Sequence, residues 1–341
     1  MAARELTVAV VGATGAVGSE VLRILDEREF PVGELRLFAS QRSAGSYIET
    51  ARGETRVDPL DHDGFGGVDL AFFCAGGAVS AEYAPIAVEA GAVAIDKSSH
   101  FRMEPTVPLV VPEVNAGDLA TREGGIIASP NCTTIPMVVA LKPIADAVGL
   151  RRIIASSYQA VSGAGKAGVN TLSRETTDLL NLRSISEEER SPFPHRIAFN
   201  CIPQVDAFLS DGATKEERKV ILESRKVLHL DDLPIAVTCV RVPTFYGHAV
   251  ALTVELENPL DPREAERLLR ESPGIILSEP GDERPYPTPA DVGGTDAVYV
   301  GRVREDPSNP GGLQLWVAAD NVRKGAALNA VQIAEIIARE L

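Results

Sequence analysis

Sulfur and aromatic side chains are scarce in this sequence of 341 residues, which contains four cysteines, three methionines and one tryptophan. The cysteines (Cys74, Cys132, Cys201 and Cys239) are scattered and form no CxxC pair. This spacing argues against a disulfide framework or a zinc site and favours free thiols in a reducing cytoplasm. No apolar run approaches the roughly 18 residues needed to cross a membrane, and no signal peptide is evident.

Positive charge is also in short supply, since 33 lysines and arginines stand against 48 aspartates and glutamates, for a net charge of -15. An acidic chain with a pI near 4.9 is not expected to bind nucleic acid or another polyanion, although a local basic pocket for a small anion remains open. Hydrophobic residues make up 45% of the chain and charged residues 24%, as in soluble globular proteins. At this length we expect two domains.

A strand followed by a glycine-rich turn opens the chain. Residues 6–11 (LTVAVV) form a nearly continuous apolar run, which predicts a central parallel strand. GATGAVG follows at 12–18, and apolar residues then recur at helical spacing as far as Leu25. Strand, glycine turn and helix together are typical of the phosphate-binding start of a dinucleotide fold, with an ordinary tight turn as the alternative.

The end of the second predicted strand bears on the choice of cofactor. A fold that prefers NAD commonly has an acidic residue there to hold the ribose 2′-hydroxyl. The sequence instead continues with SQRSAG at 40–45, so Arg42 and Ser43 could hold a 2′-phosphate, which favours NADP. A solvated loop arginine is the alternative.

Strands and helices alternate after the first turn, which predicts a doubly wound parallel sheet of the Rossmann type. Beyond residue 150 longer strands follow one another with few helices between them, which predicts an α+β domain with a mixed sheet. Predicted strands cover 34–39, 68–74, 92–96, 109–114, 126–128, 152–161, 235–242, 249–257, 297–303 and 313–319. Predicted helices include 80–90, 214–228, 262–270 and 324–341. The first domain is expected to span 1–130 plus 321–341, and the second 131–320.

SPNCTT at 129–134 separates a predicted buried strand from a helix that begins near Ile135. A cysteine at this junction, Cys132, would lie among the unpaired N–H groups of the first helical turn, which favour the thiolate. Cys132 is therefore a candidate nucleophile, with a small buried thiol as the alternative.

A cysteine nucleophile needs a group that moves protons and groups that hold the substrate. His248, at the start of a predicted strand, is the best placed of the five histidines, and a structural histidine is the alternative. Arg241 ends a strand and could pair with a carboxylate. Glu216 and Lys219 share one face of a predicted helix, either as a surface ion pair or as groups that face a site.

Six stretches, in this order, resemble aspartate-semialdehyde dehydrogenases: GATGAVG at 12–18, RSAG at 42–45, SPNCTT at 129–134, YQAVSGAG at 158–165, RVP at 241–243 with His248, and DNVRKGAA at 320–327. The resemblance implies an enzyme that reversibly makes aspartate semialdehyde from aspartyl phosphate with NADPH, through a cysteine thioester. It further implies a place in the biosynthesis of lysine (through diaminopimelate), threonine, methionine and isoleucine. A cytoplasmic homodimer or homotetramer, joined through the second domain and without metal, is expected.

Carried over by position, the resemblance implies a role for each matching residue. Cys132 is similar to the thioester nucleophile and His248 to the acid/base, with Asn131 and Gln159 positioning the reacting group. The expected substrate-binding residues are Arg241 for the α-carboxylate, Glu216 for the ammonium, Arg102 and Lys219 for the phosphate, and Gln159. The expected NADP-binding residues are Gly12, Thr14, Gly15, Ala16, Val17, Arg42, Ser43, Ser162, Gly163 and Asn321.

Two residues depart from the family pattern, and two other functions stay open. Lys97 stands where asparagine is expected and adds charge near the predicted site, and Cys74 replaces a smaller residue. A related acyl-phosphate reductase, such as N-acetyl-gamma-glutamyl-phosphate reductase, would share the cysteine, the histidine and the cofactor fold. It would not need Glu216, because its substrate amine is acetylated. A non-catalytic NADP-binding paralogue would be expected to lack one of the four central residues, yet Cys132, Gln159, Arg241 and His248 are all present.

Overall fold

The structure is a computed structural model that describes residues 4–122, 125–185 and 191–340. The strands are β1 (Leu6–Val11), β2 (Val32–Ala39), β3 (Tyr47–Thr50), β4 (Gly53–Pro59), β5 (Leu70–Phe73), β6 (Val93–Asp96), β7 (Ile126–Ala128), β8 (Leu150–Gln159), β9 (Ile235–Arg241), β10 (His248–Leu256), β11 (Ile275–Leu277), β12 (Val298–Glu305) and β13 (Leu313–Ala319). The helices are α1 (Ala16–Glu27), α2 (Gly77–Glu89), α3 (Pro112–Asn115), α4 (Thr134–Val148), α5 (Gly165–Leu180), α6 (Lys215–Leu228), α7 (Pro262–Glu271), α8 (Pro289–Val292) and α9 (Leu328–Ile337). Within the described ranges, every helix is too short or too polar to traverse a lipid bilayer.

The first of two compact units comprises residues 1–131 together with 326–341. Its described residues form a seven-stranded sheet in the order β3-β4-β2-β1-β5-β6-β7, parallel throughout except between β3 and β4. β1 is apolar on both faces because both are covered. Val8 and Val10 share a core with α1 and α9, whereas Ala9 and Val11 share one with α2. The predicted doubly wound sheet is confirmed.

The strand predicted at 109–114 is wrong. In the described chain this stretch forms one isolated bridge at Leu109, and α3 begins at Pro112. The Asn115 side chain accepts a hydrogen bond from the Val111 N–H (2.9 Å) and donates one to the Leu109 carbonyl (2.8 Å). Because the amide side chain occupies these backbone groups, they are not available to a strand ladder.

The C-terminal helix begins later than the predicted residue 324. Residues Arg323–Ala327 form a π-helical turn, and the regular helix α9 covers Leu328–Ile337. Its Asn329 donates a hydrogen bond of 2.9 Å to the carbonyl of Val110. α9 therefore belongs to the core of the first unit although it ends the chain.

The second unit comprises residues 132–325. Its described residues form a six-stranded sheet in the order β11-β12-β13-β10-β8-β9. The outer pairs β11–β12 and β8–β9 are parallel, and the inner pairs are antiparallel. The predicted mixed sheet is therefore confirmed. Helices α4, α6 and α7 pack on this sheet, and the alternate residues Val250, Leu252 and Val254 of β10 are buried.

The opposite face of this mixed sheet is only partly covered. Ile154 and Tyr158 of β8 are 39% and 38% exposed, and the Tyr158 ring lies 5.3 Å from that of Trp316. A pocket of about 350 Å³ lies on the same face, beside Thr253, Trp316 and Tyr286. Its described lining contains none of the residues predicted to bind substrate or cofactor.

Candidate active site

Cys132 lies just before the first turn of α4. The chain leaves β7 at Ala128, turns at Cys132 and Thr133, and enters α4 at Thr134. The Cys132 thiol is half-buried and forms no disulfide. The backbone of Gly325 packs so closely that a Cβ added to it would lie 3.1 Å from the Cβ of Cys132. The thiol is thus accessible, confined on one side, and close to the positive end of a helix.

Two other cysteines have no thiolate character. Burial raises the pKa of the Cys74 thiol to about 12, against an opposing effect of Lys97. Burial likewise raises the pKa of Cys239 to about 12, against an opposing hydrogen bond with Ser157. Both thiols are protonated at neutral pH and are therefore poor nucleophiles.

Gln159, the last residue of β8, connects the Cys132 turn to α6. Its side chain is fully buried. Its Nε2 donates hydrogen bonds to Oγ1 of Thr133 and to Oε1 of Glu216, the latter at 3.1 Å. Its Oε1 has no hydrogen-bond partner among the described residues. Since buried polar atoms are normally paired, this oxygen is a candidate acceptor for a ligand.

Arg241, the last residue of β9, brings a positive charge to the cluster. It lies opposite Gln159 in the parallel β8–β9 pair, and its Nη1 donates a hydrogen bond of 2.7 Å to the carbonyl of Ala160. The guanidinium also lies 5.9 Å from the centre of the Phe193 ring. Burial lowers the pKa of Arg241, and negative charge on Cys132 opposes this effect. Arg241 and Cys132 are therefore electrostatically coupled.

His248, the first residue of β10, is buried and held by a main-chain group. The N–H of Ala160 donates a hydrogen bond of 3.1 Å to Nδ1. Nε2 is buried and has no hydrogen-bond partner in the described chain. Burial, with a smaller effect from the Arg241 charge, lowers the pKa of His248 well below its ordinary value. The imidazole is therefore neutral at neutral pH, and its proton is on Nε2 because Nδ1 is an acceptor.

Gly163 and Ser162 close the same cluster. A Cβ added to Gly163 would lie 2.8 Å from Nη1 of Arg241 and 3.4 Å from Nε2 of His248. Ser162 is bonded to the side chain of Asn321, with its Oγ 3.0 Å from Nδ2. Residues predicted from four separate stretches are thus brought together at one edge of the mixed sheet.

Glu216 and Lys219 are both part of a network at the start of α6. Lys219 Nζ donates hydrogen bonds to Glu216 Oε2 (3.3 Å) and to Asp206 Oδ2 (2.8 Å). Burial lowers the pKa of Lys219, but the two carboxylates outweigh burial, so the net shift is upward. Glu216 is 6% exposed and also accepts from Gln159. The pair therefore faces the cluster and is not an ordinary surface ion pair.

The glycine-rich turn of the first unit has the geometry of a phosphate cradle. Gly12 has φ +84°, and a Cβ there would lie 3.0 Å from the carbonyl oxygen of Cys74. A Cβ on Gly18 would lie 2.3 Å from the carbonyl oxygen of Gly12, so both positions require glycine. Gly15 caps α1 without a side chain, which leaves the first-turn N–H groups beyond it, including those of Ala16 and Val17, open to an anion.

Arg42 and Ser43 lie in the turn that follows β2. The N–H of Ser43 donates to the carbonyl of Ser40 at 2.8 Å, which closes the turn. Arg42 is exposed and has no ion-pair partner in the described residues. Since β2 pairs with β1 in parallel, this arginine and the glycine turn both follow the carboxyl ends of neighbouring strands. The first unit therefore has the arrangement of a dinucleotide-binding fold, with an exposed arginine after its second strand.

Arg102, Lys97 and Asn131 also belong to the first unit. Arg102 is 6% exposed, and its Nη2 donates to the carbonyl of Lys97 at 2.8 Å. Lys97 Nζ donates to Ser129 Oγ and to the Pro130 carbonyl, both at 3.0 Å. The charge that departs from the family pattern is thus bonded to the segment that leads to Asn131, which is itself buried.

Sequence reasoning missed the contacts made by main-chain atoms and small residues. The main chain of Ala160 donates to His248 through its N–H and accepts from Arg241 through its carbonyl. The alanine side chain gives no indication of these bonds in the sequence. Gly325 was visible as a glycine within DNVRKGAA, but its packing on Cys132 depends on tertiary structure. Thr133 follows the candidate nucleophile directly, and its hydroxyl is the acceptor for Gln159.

Comparison with known proteins identifies relatives that match nearly the whole chain. The family profile described as "Semialdehyde dehydrogenase, NAD binding domain" matches residues 7–122, and "Semialdehyde dehydrogenase, dimerisation domain" matches residues 141–324. The chain is 48% identical over 335 residues to aspartate-semialdehyde dehydrogenase of Aquifex aeolicus, covering 98% of both chains. It is 50% identical over 339 residues to aspartate-semialdehyde dehydrogenase 2 of Vibrio cholerae, covering 99% of both. The crystal structure of aspartate semialdehyde dehydrogenase II complexed with ASA from Vibrio cholerae matches with a TM-score of 0.94, at 50% identity over 98% of this chain and 99% of that one.

Proposed function

Because the chain belongs to the aspartate-semialdehyde dehydrogenase family, we propose that it reversibly converts L-4-aspartyl phosphate to L-aspartate 4-semialdehyde with NADPH. The observation that carries this proposal is the cluster of Cys132, Arg241 and His248 within one compact unit. The reaction would serve the biosynthesis of lysine, threonine, methionine and isoleucine.

Cys132 acts as the nucleophile in this proposal. Its thiolate attacks the acyl carbon, the bond from that carbon to the phosphate oxygen breaks, and inorganic phosphate leaves with the electron pair. NADPH, when bound, supplies the hydride that reduces the resulting aspartyl thioester. The carbon–sulfur bond then breaks, so that the aldehyde leaves and the thiolate is restored. A thioester accepts a hydride more readily than a carboxylate does, which is the chemical reason for the covalent route.

Arg241 supplies the positive charge that the thiolate needs. Burial lowers the pKa of Arg241, and negative charge on Cys132 partly offsets that shift. The same interaction stabilises negative charge on the sulfur. His248 does not supply that charge, because burial and Arg241 keep it neutral. The nucleophile is therefore activated by a guanidinium and the first turn of α4, and not by an imidazolium.

His248 acts as a hydrogen-bond donor to the substrate oxygen. The Nε2 proton is on the opposite side of the ring from Nδ1, which accepts from Ala160. Nε2 is buried and has no hydrogen-bond partner among the described residues. The predicted role as a base would require a proton on Nδ1, which would break the bond from Ala160. A neutral donor is instead suited to the negative charge that develops on the carbonyl oxygen when the carbon becomes tetrahedral.

The substrate is held by charges of both signs. Arg241 offers a fork of donors to the α-carboxylate, and Glu216 offers a buried carboxylate to the α-ammonium. Lys219 and Arg102 are the proposed phosphate-binding residues, and Gln159 Oε1 is a proposed acceptor for a donor of the substrate such as its ammonium. A free ammonium explains a buried Glu216 better than an acetylated amine does, which favours the aspartyl substrate over N-acetylglutamyl phosphate.

NADP is the proposed cofactor. The glycine turn at Gly12, Thr14, Gly15, Ala16 and Val17 would hold the pyrophosphate, and Ser162 and Gly163 are further proposed cofactor-binding residues. Arg42 and Ser43 would hold the 2′-phosphate, because Arg42 is exposed and without an ion-pair partner in the described part of the chain and no acidic residue occurs from 40 to 45.

The partner proposed for the half-exposed sheet face is a second copy of this chain. Its aromatic and aliphatic residues, Ile154, Tyr158 and Trp316, lie within the segment matched by the dimerisation profile. Ile154→Asp would place a charge there and should convert a dimer to a monomer in light scattering. A cytoplasmic location is also proposed, since four thiols without a disulfide suit a reducing compartment.

The experiment that tests the function follows reduced cofactor formation from aspartate semialdehyde in the presence and absence of phosphate. We expect NADPH formation that depends on phosphate, slower reaction with NAD, and no reaction with N-acetylglutamate semialdehyde. A phosphate-dependent reaction with the acetylated aldehyde alone would favour the alternative reductase, and no reduced cofactor from either aldehyde would refute both.

A further inference from the structure

Asn321 connects the two loops that carry His248 and Gly163. Its Oδ1 accepts a hydrogen bond of 3.0 Å from the N–H of Gly247, the residue directly before His248. Oδ1 and Nδ2 also contact Ser162 Oγ, at 3.1 and 3.0 Å. The side chain is 3% exposed. The Oδ1 atom and one N–H of the Nδ2 group are thus bonded to the loops on either side.

Gly247 has a backbone conformation and a close neighbour that together require glycine. Gly247 has φ +84°, and a Cβ there would lie 2.3 Å from the carbonyl oxygen of Pro289. Only glycine tolerates both conditions. Because this peptide enters β10 at His248, the bond from Gly247 to Asn321 fixes the point at which the imidazole leaves the main chain.

Asp320 holds the turn from which Asn321 projects. Its Oδ1 accepts the N–H groups two and three residues further along the chain, at 2.8 and 2.9 Å. Its Oδ2 accepts from the N–H of Gly294 at 2.7 Å. Its main-chain carbonyl accepts from the N–H of Gly325 at 2.8 Å, and Gly325 is the residue that packs on Cys132. One buried aspartate therefore anchors contacts to both ends of the catalytic cluster.

We propose that Asp320 and Asn321 are positioning residues that set the geometry of His248 and Cys132. Asn321 acts through Gly247 and Ser162, and Asp320 acts through Asn321 and Gly325. Neither residue needs to touch the substrate or the cofactor for this role. The proposal rests on the proposed function, because its effect is measured on turnover of aspartate semialdehyde.

Asn321→Ala tests the assignment by separating turnover from cofactor affinity. We expect kcat for aspartate semialdehyde to fall at least about tenfold, since small misplacements of catalytic groups are costly. The Kd for NADPH, measured by calorimetry on the full chain, should stay within about twofold of wild type, because a purely positioning role involves no contact with the cofactor. A rise in that Kd of tenfold or more with unchanged kcat at saturating NADP would overturn the proposal and make Asn321 a cofactor ligand.

Asp320→Asn tests the positioning role independently, because it leaves the Asn321 side chain unchanged. It keeps one acceptor oxygen for the turn but replaces the oxygen that accepts from Gly294. We expect the same pattern, a lower kcat with NADPH affinity retained, and less than additive loss in the double variant. An Asp320→Asn enzyme with wild-type kcat, or fully additive losses, would contradict a shared positioning role.

Asp306→Asn is the matched control. Asp306 is equally buried and also caps a turn of the second unit, where its Oδ1 accepts from Ser308 N–H and Oγ at 3.0 and 2.8 Å. It lies at the opposite end of β13 from Asp320, so we expect wild-type kcat. If the wild-type enzyme itself is inactive with aspartate semialdehyde, the proposed function fails, whereas an active wild type with unaffected Asp320 and Asn321 variants contradicts only the positioning role.

Discussion

The main-chain N–H of Ala160 donates a hydrogen bond to Nδ1 of His248. The carbonyl of the same residue accepts from Arg241, so Ala160 holds the imidazole and the guanidinium together. A backbone N–H can only donate, and His248 must therefore carry its proton on Nε2 when neutral. The tautomer of the site is thus set by the main chain at the end of β8.

His248→Asn tests the donor role. Asparagine offers Oδ1 near the position of Nδ1, so the bond from Ala160 can persist, but it lacks a donor at the position of Nε2. We expect kcat to fall about 100- to 1,000-fold, as when one donor to a developing oxyanion is removed, with NADPH affinity unchanged in calorimetry. Wild-type turnover in this variant would remove His248 from the mechanism.

The lowered pKa of His248 predicts a pH dependence of stability. In the unfolded chain this histidine binds a proton below its ordinary pKa of about 6.5, whereas the folded protein keeps it neutral to lower pH. The free energy of unfolding is therefore unaffected by His248 protonation above pH 6.5 and falls as the pH drops below that value. The slope approaches about 1.4 kcal/mol per pH unit.

Trp316, the single tryptophan, reports unfolding of the unit that contains His248. Urea unfolding followed by its fluorescence from pH 7.5 to pH 5 should show the wild-type advantage over His248→Asn shrinking as pH falls. Groups common to both proteins cancel in this difference. A difference that is constant across the range would mean that His248 protonates normally in the folded state.

Gly163→Ala should perturb substrate binding more than stability. The new methyl group would lie 2.8 Å from Nη1 of Arg241, and the end of this flexible side chain must move. Loss of one charge-assisted hydrogen bond predicts a rise of about tenfold or more in KM for aspartate semialdehyde. Gly281→Ala, where an added methyl group meets no atom within 4 Å, is the control, and an equal KM effect in both variants would contradict the geometry.

Arg42→Ala tests the preference for NADP. Removing one charged contact to the 2′-phosphate should raise KM for NADP by about 10- to 100-fold, with little change for NAD, which lacks that phosphate. Arg52→Ala removes another exposed arginine of the same unit and should leave both values unchanged. Equal losses for NADP and NAD in Arg42→Ala would place the cofactor preference elsewhere.

The sequence predicts the fold well where burial decides the pattern. β1 and β13 begin and end at the predicted residues, because long apolar strands leave little freedom in their limits. Hairpin β3–β4 was not predicted, since its strands alternate with exposed polar residues and bury little apolar surface. The segment at 109–114 looked like a strand, yet the Asn115 side chain occupies its backbone groups.

In the candidate site, too, some features follow from the sequence and others depend on contacts in the folded chain. The position of Cys132 between a strand and a helix makes it a candidate, as do the strand-end positions of Arg241 and His248, and the family resemblance was needed to choose their roles. The protonation of His248 could not, because it depends on burial and on the N–H of Ala160. A lone histidine in a sequence indicates a titratable group, whereas the folded chain makes this one a neutral donor.

The central claim is that Cys132 forms the thioester, and one measurement tests it most directly. Wild-type enzyme mixed rapidly with aspartate semialdehyde and NADP in the absence of phosphate should release up to one NADPH per chain in a burst. The peptide that contains Cys132 should then carry an aspartyl adduct in mass spectrometry. Cys132→Ala should give neither burst nor adduct, while Cys201→Ala, which removes an exposed thiol, should give both. A burst that persists in Cys132→Ala, or an adduct on another cysteine, would contradict the account.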